Sequence, residues 1–493
     1  MTHAHSPPPT TTTRAWLPCV AALLSFTMYA VNQFTFSQST TGALFLSSSL
    51  TRSMSQVDRS LNNMYITRVV AFICTGFLIT PGVLLLAGRR GALLIGSGIV
   101  LIAGIVLVAA IKFLAADYAA TALLAIGHGI AVPSALLYAA ELAPTLLRGK
   151  ILAFANLAWA LGYLVVYWVF WGITWAFTDK SNEQIWPLYR GCASFMFLFS
   201  IIVPVSMLFA PNTPPLGSDG HGDGDASRRP LATVVAAGFP AKRVALAFAL
   251  NALASMVGTS EVSRWSTLVY SRGFSRNYPI SSHFGPSLAS WIVYSVDTVV
   301  GVLGAAVGLL LIDKIGRRKL LIAGSAVLAL CMVIIGGLGA GYGSSRLFGT
   351  FSYSERDEPK YYSAALGYAV MDVVTTFVAG ATWNCVVWVY TAEMFAPAVG
   401  TWAVPMSFMV SSISSAIFNH VAFNKFAEKV GLHIFFFFFG LNILVALFVF
   451  FFLPETKGVP LENMEELFTG SARHAHRLDI QHIDSNDKRD VYA

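Results

Sequence analysis

Gly88-Arg89-Arg90 and, far along the chain, Gly316-Arg317-Arg318 interrupt long apolar runs. A second mark repeats in the same order: Glu141-Leu142-Ala143-Pro144 with Arg148-Gly149 behind it, and later Glu393 to Pro397. Two unlike interruptions recurring in register point to one duplicated unit. Six apolar segments per copy predict an all-α, polytopic membrane protein of twelve helices in two pseudo-symmetric bundles, the architecture of carriers built from repeats.

Composition agrees with that reading. Of 493 residues, 56% are hydrophobic and only 12% charged, and the mean hydropathy is +0.65. Lipid must cover much of such a chain. Segments of about 20 apolar residues match about 30 Å of hydrocarbon, and a helix satisfies its own backbone there. The spans fall at 15–37, 64–86, 92–113, 118–140, 151–174, 188–210, 244–270, 287–312, 320–339, 364–391, 402–423 and 431–453. Pro, Gly or charge ends the runs at Gly88, Pro144, Pro211 and Pro454.

This gives a disordered cytoplasmic tail at 1–14, a first bundle at 15–210, a linker at 211–243, a second bundle at 244–453 and a cytoplasmic tail at 454–493. The first span is long and has no small-residue cleavage site, so it reads as a retained anchor. Lys and Arg crowd the short loops at 88–91, 148–150 and 313–319, which puts those loops and both termini in the cytoplasm, with the plasma membrane as the expected location. The net charge of +7 is this topological signal. Nucleic acid is excluded as a partner, because no basic face is present. Lipid and a small solute are the partners expected of a functional monomer.

Cys19, Cys74, Cys192, Cys331 and Cys385 fall in or beside spans and read as reduced packing residues. His221, Asp223 and Asp225 lie in a Gly-rich stretch that reads as linker, so no metal and no cofactor is expected. No nucleophile, metal or phosphate-loop constellation suggests an enzyme.

The end of the twelfth span, Pro454-Glu455-Thr456-Lys457-Gly458, with Leu461-Glu462 and Leu467-Phe468, resembles the terminal signature of the sugar porter family of the major facilitator superfamily. Asp313 to Arg318 resembles that family's loop between the eighth and ninth helices, Tyr138 to Gly149 its fourth-to-fifth junction, and Trp388-Val389-Tyr390 its tenth helix. The resemblance implies a cytoplasmic gate of Arg89, Arg90, Glu141, Arg148, Asp313, Arg317, Arg318 and Glu393. Carboxylates and guanidiniums facing each other between halves would form bonds in only one of two rocking states. Two members are missing: Leu85 stands where the family has an acid, and Gly400-Thr401 where it has an Arg. Each half is therefore expected to have lost one member of its clamp.

The resemblance places the substrate near the midplane. Asn156 stands at the position of a family Gln and Trp383 at that of a ligand-stacking Trp, with Tyr163 and Trp388 nearby. An amide and an indole suit a polyhydroxylated ring, although packing also explains each Trp. The seventh helix departs from the family: Ala254 to Ser260 replaces its polar ligands and Arg264-Trp265 its double Tyr. Glu261 and Arg264 are spaced to pair on one helical face, or Arg264 reads an anionic group on the substrate. Ser260 completes this set.

Asn32 stands where proton-coupled relatives carry an acid, and Asn does not titrate. The chain is then a facilitator, or a proton is carried by Asp297, Asp372, Glu261 or His128. Asp297 and Asp372 lie toward the outer ends of their spans, where hydration is expected, and a lone His such as His128 is more often a packing residue. The function that follows is alternating-access transport of a sugar, polyol or related small polar solute. A carrier or exporter of a sugar acid, organic acid or secondary metabolite is the alternative, and a non-transporting nutrient receptor is a third reading.

Overall fold

The structure is a computed structural model that describes residues 17–31, 66–109, 114–144, 147–176, 200–211, 240–273, 288–342, 358–395, 397–418, 430–459 and 464–469. Each of the twelve expected spans carries helix. In the first half these are α1 (Leu17–Val31), α2 (66–87), α3 (89–109), α4 (Leu114–Leu142), α5 (Arg148–Ala176) and α6 (200–208). The second half has α7 (Ala241–Met256), α8 (Thr259–Gly273), α9 (Leu288–Ile315), α10 (Arg317–Tyr342), α11 (Glu358–Ala381), α12 (Trp383–Glu393), α13 (Pro397–Ile417) and α14 (Ile434–Phe452), followed by the short α15 (Met464–Thr469).

The seventh span is α7 plus α8, broken at Val257-Gly258, and the tenth is α11 plus α12, broken at Thr382. Broken spans expose backbone where a cavity can use it. Eight helical stretches among the described residues are long and apolar enough to cross a membrane. The longest, Ile66–Val108, has 43 residues, or about 65 Å at 1.5 Å per residue, twice what the hydrocarbon needs. Gly88 divides it into two spans with φ 71 and ψ −179, and Gly316 does the same between α9 and α10 with φ 98. Both are in a backbone region that glycine enters without a Cβ clash.

The duplication is visible in the bonds. Tyr138 on α4 donates its hydroxyl to the Pro211 carbonyl at 2.7 Å, and Tyr390 on α12 donates to Pro454 at 2.8 Å. Arg90 donates to the carbonyls of Met207 and Leu208 at the end of α6. Its counterpart Arg318 donates to the carbonyl of Phe450 at the end of α14. In each half a guanidinium thus satisfies carbonyls that the helix end leaves without intrahelical partners.

Core residues of both halves form one large cluster that includes Leu23, Phe26, Leu136, Trp383 and Phe408. The halves meet where α5 packs on α9 and α12, and α13 on α2 and α4. Close approach needs small residues: a Cβ on Gly304 or Gly308 of α9 would lie 2.5 Å or 2.8 Å from the carbonyl oxygens of Phe377 or Ala381. Outward faces are apolar, with Leu86, Leu444 and Phe451 exposed, as lipid contact requires. Cys19, Cys331 and Cys385 are buried, but Cys74 is exposed on α2, contrary to the packing role expected of it; Cys192 lies outside the described residues.

Candidate functional site

One end of the bundle carries a buried ionic network. Arg317, at the first position of α10, is gripped in two-toothed fashion by Glu393, with Nε to Oε2 at 3.1 Å and Nη2 to Oε1 at 2.7 Å. Its Nη1 donates to Asp313 Oδ1 at 2.9 Å. Thr456 donates to Glu393 Oε2 at 3.1 Å, and the Glu455 carboxylate caps α10 by accepting the backbone N–H groups of Arg317 and Arg318. The first half enters this network through α5. The Lys150 N–H, one of the unpaired donors of a helix start, donates to Asp313 Oδ2 at 3.1 Å. Arg148 is buried and adds its charge to the field at Glu393. Gly149 leaves no room for a side chain, because a Cβ there would collide with Asp313 and Arg317.

The equivalent junction in the first half is thinner. Arg89 donates to Glu141 Oε1 at 2.9 Å from Nε, and Nη2 reaches Thr401 of the opposite half at 2.8 Å. Leu85 occupies the place of Asp313 and Gly400 that of Arg148. These two absences fall on the same junction. Across the boundary one junction joins a helix start to a carboxylate, and the other joins a guanidinium to a single hydroxyl.

Deeper in, both halves wall a cavity of about 390 Å³. The first half supplies Tyr29, Arg68, Phe72, His128 and Trp159, and the second supplies Ser260, Trp388, Phe408 and three serines of α13, Ser411, Ser412 and Ser415. Its aromatic wall is tightly assembled. Tyr29 packs on His128 at 4.7 Å and on Trp159 at 4.9 Å between ring centroids, and Trp388 packs on Phe26 at 5.0 Å and Phe408 at 4.7 Å.

Ser260, Trp388 and His128 of the sequence-derived set therefore line one space. Asn156 and Trp383 do not border it. Asn156 bridges the halves, donating to the Gly380 carbonyl at 2.9 Å, and Trp383 is buried with its indole N–H on Ser325 Oγ at 3.0 Å. Tyr163 sits apart beside Asp297 and Asp372, whose charges reach its hydroxyl. Glu261 is buried at 3% exposure, whereas Asn32 and the Arg264 side chain lie outside the described residues. Asp372 departs from the hydration expected of it: its exposure is 2%, and Tyr270 donates to its Oδ2 at 2.6 Å.

Arg68, Trp159 and the α13 serines were not singled out by sequence. A lone charge opening the second span and a serine-rich run in the eleventh were the available signals.

Known proteins supply an independent comparison. A family profile described as "Sugar (and other) transporter" matches residues 19–216 and 242–468. A quinate permease of Neurospora africana is 26% identical, with 95% of this chain and 88% of that protein covered. The sugar transport protein MST6 of Oryza sativa subsp. japonica is 26% identical over 77% of this chain and 71% of that one. Among solved structures, the proton:xylose symporter XylE bound to 6-bromo-6-deoxy-D-glucose matches with TM-score 0.72 at 18% identity, covering 94% of this chain and 100% of that one. The inward open conformation of XylE from E. coli matches at TM-score 0.59 and 18% identity, covering 92% and 99%. The twelve-helix major facilitator fold is shared with these structures.

Proposed function

The chain belongs to the Sugar (and other) transporter family, and from that premise we propose that it moves a small polyhydroxylated solute across a membrane by alternating access. The observation that carries this reading is the cavity walled by both halves, since tilting one half against the other must open it to either side in turn. About 390 Å³ is in the range of small-molecule sites, which run from about 300 to 1,000 Å³. Trp388 and Trp159 offer flat apolar faces, and Ser260 with the α13 serines offers hydroxyls to a ring.

The network of Arg317, Glu393, Asp313 and Arg148, with the weaker Arg89–Glu141 pair, is the gate that holds one end shut. By the excess of Lys and Arg in its loops that end is cytoplasmic, as are both termini, and the plasma membrane is the proposed location. Arg90 and Arg318 brace the gate by holding α6 and α14. Counterflow of radiolabelled sugars, polyols and acids in liposomes containing the purified monomer tests the proposal. Exchange without a gradient supports a carrier, and binding with no exchange of any solute favours the receptor reading instead.

A second reading concerns charge on the solute. Arg68 stands in the cavity wall among aromatic and hydroxyl groups, and a guanidinium suits a carboxylate by its paired donors. Several relatives, including those of Neurospora africana and Neurospora terricola, are described as quinate permeases. A ring that carries both hydroxyls and one carboxylate, such as quinate, fits this wall better than a neutral hexose. Arg68→Gln should weaken quinate exchange while sparing D-xylose, and equal effects on both solutes would exclude the acid reading.

A further inference from the structure

We propose that Asp297 on α9 and Asp372 on α11 form a proton-holding site in the second half, filled and emptied as the halves part and close, which couples proton movement to the solute cycle. The proposal rests on the carrier reading above. It locates the proton away from the first span, where Asn32 stands, and away from the cavity.

The site is a carboxyl pair enclosed by phenols. Asp372 accepts the Tyr270 hydroxyl at 2.6 Å on Oδ2, while its Oδ1 is buried with no hydrogen-bond partner. Asp297 is hydrogen-bonded to the Thr376 side chain and also has a buried Oδ1 without a partner. The two carboxyls act on each other electrostatically. Two carboxylates so placed in a water-poor interior cannot both stay charged, and a proton shared by such a pair belongs to the pair. The proton adds to an unpartnered Oδ1, converting a carboxylate to a neutral carboxylic acid. Tyr270 keeps its own proton throughout.

The surrounding titratable groups are mostly phenols. Tyr270 and Glu261 come from α8, Tyr294 from α9 and Tyr368 from α11; Tyr368 donates to the Val262 carbonyl at 2.7 Å. Tyr270 packs on Tyr294 at 5.6 Å and on Tyr368 at 6.1 Å. From α10, Cys331 is hydrogen-bonded to Thr375, one turn from Asp372.

The cover on this site belongs to the other half of the molecule. Tyr167 of α5 is hydrogen-bonded to Ser295 and packs edge-on to Tyr294 at 6.5 Å, and Tyr163, one turn earlier, acts on both carboxyls. Tilting the halves draws α5 away from α9. Water then reaches a pair that is enclosed in the state seen here, which is the alternation that coupling requires.

The test uses the purified full-length protein in liposomes, with labelled quinate and D-xylose as probes. Infrared titration should show the carbonyl stretch of a protonated carboxyl in the wild type. Asp372→Asn should remove it, and Tyr270→Phe should shift it. A gradient of about one pH unit should drive about tenfold accumulation at one proton per solute, and Asp372→Asn and Asp297→Asn should abolish accumulation while keeping gradient-free counterflow. Wild-type-like accumulation in both Asn variants, a pH-independent wild type or an absent infrared band would overturn the proposal. Loss of counterflow by the wild type with both probes would instead remove the carrier reading, and the infrared band alone would then decide whether the pair holds a proton.

Discussion

At one junction between the halves Arg317 is held by two carboxylates, and a helix start from the opposite half docks on Asp313. At its counterpart Arg89 has one carboxylate and, across the boundary, one threonine hydroxyl. The two halves repeat one pattern, yet in the proposed gate they do not share the work of closing this end equally. The acid missing at Leu85 and the base missing at Gly400 both belong to this second junction. An Arg left at the buried position 400 without an acid opposite it would have been an unpaired charge, so the joint loss is the less costly outcome. In the proposed gate, closure is thereby concentrated on the Arg317 junction.

The largest effect expected from breaking this asymmetry comes from Glu393→Gln. Arg317 and Glu393 side chains are each 3% exposed, and removing one partner of a buried pair costs about 3 to 5 kcal/mol. Transport should fall to background and thermal stability should drop, both measurable on the purified protein. Asp313→Asn comes next, because it weakens both the Arg317 bond and the cap on α5; its transport rate should fall further than that of Glu141→Gln. If Glu141→Gln proves the more damaging, the load is divided differently from what the bonds suggest.

Rebuilding the thin junction sharpens the comparison. Leu85→Asp combined with Gly400→Arg should slow opening of this end and lower turnover, whereas Gly400→Arg alone should destabilise through an unpaired charge. Space is limited, since a Cβ at Gly400 would meet Leu137 Cδ2 at 3.1 Å. The smallest effect belongs to Thr401→Val. It deletes one hydrogen bond, worth about 1.5 kcal/mol, and a turnover change of about tenfold or less is expected.

The features legible in the sequence were those written in spacing. Gly88 and Gly316, Glu141 and Glu393, and Tyr138 and Tyr390 stand in register, and each pair makes corresponding bonds or turns. Side-chain direction was not legible in the same way. Trp383 starts a helix just after the break at Thr382 and is turned toward Ser325, away from the cavity. Trp388, five residues on, faces the cavity. A continuous helix drawn from the apolar pattern cannot distinguish these directions. Asp372 looked hydrated from its depth alone, but three spans and their tyrosines enclose it. Arg68 carries no distinct sequence signal, since a single basic residue near a span end ordinarily snorkels to the membrane surface.

Alternating access requires this end to open and close as the two halves move. Spin labels at Leu147, which is 48% exposed, and at exposed Lys314 straddle the Arg317 junction. Pulsed distance measurement in liposomes should give a short and a long population, with solute changing their ratio and Glu393→Gln moving most of the protein to the long one. A single distance, unmoved by solute and by Glu393→Gln while solute still crosses, would contradict the account.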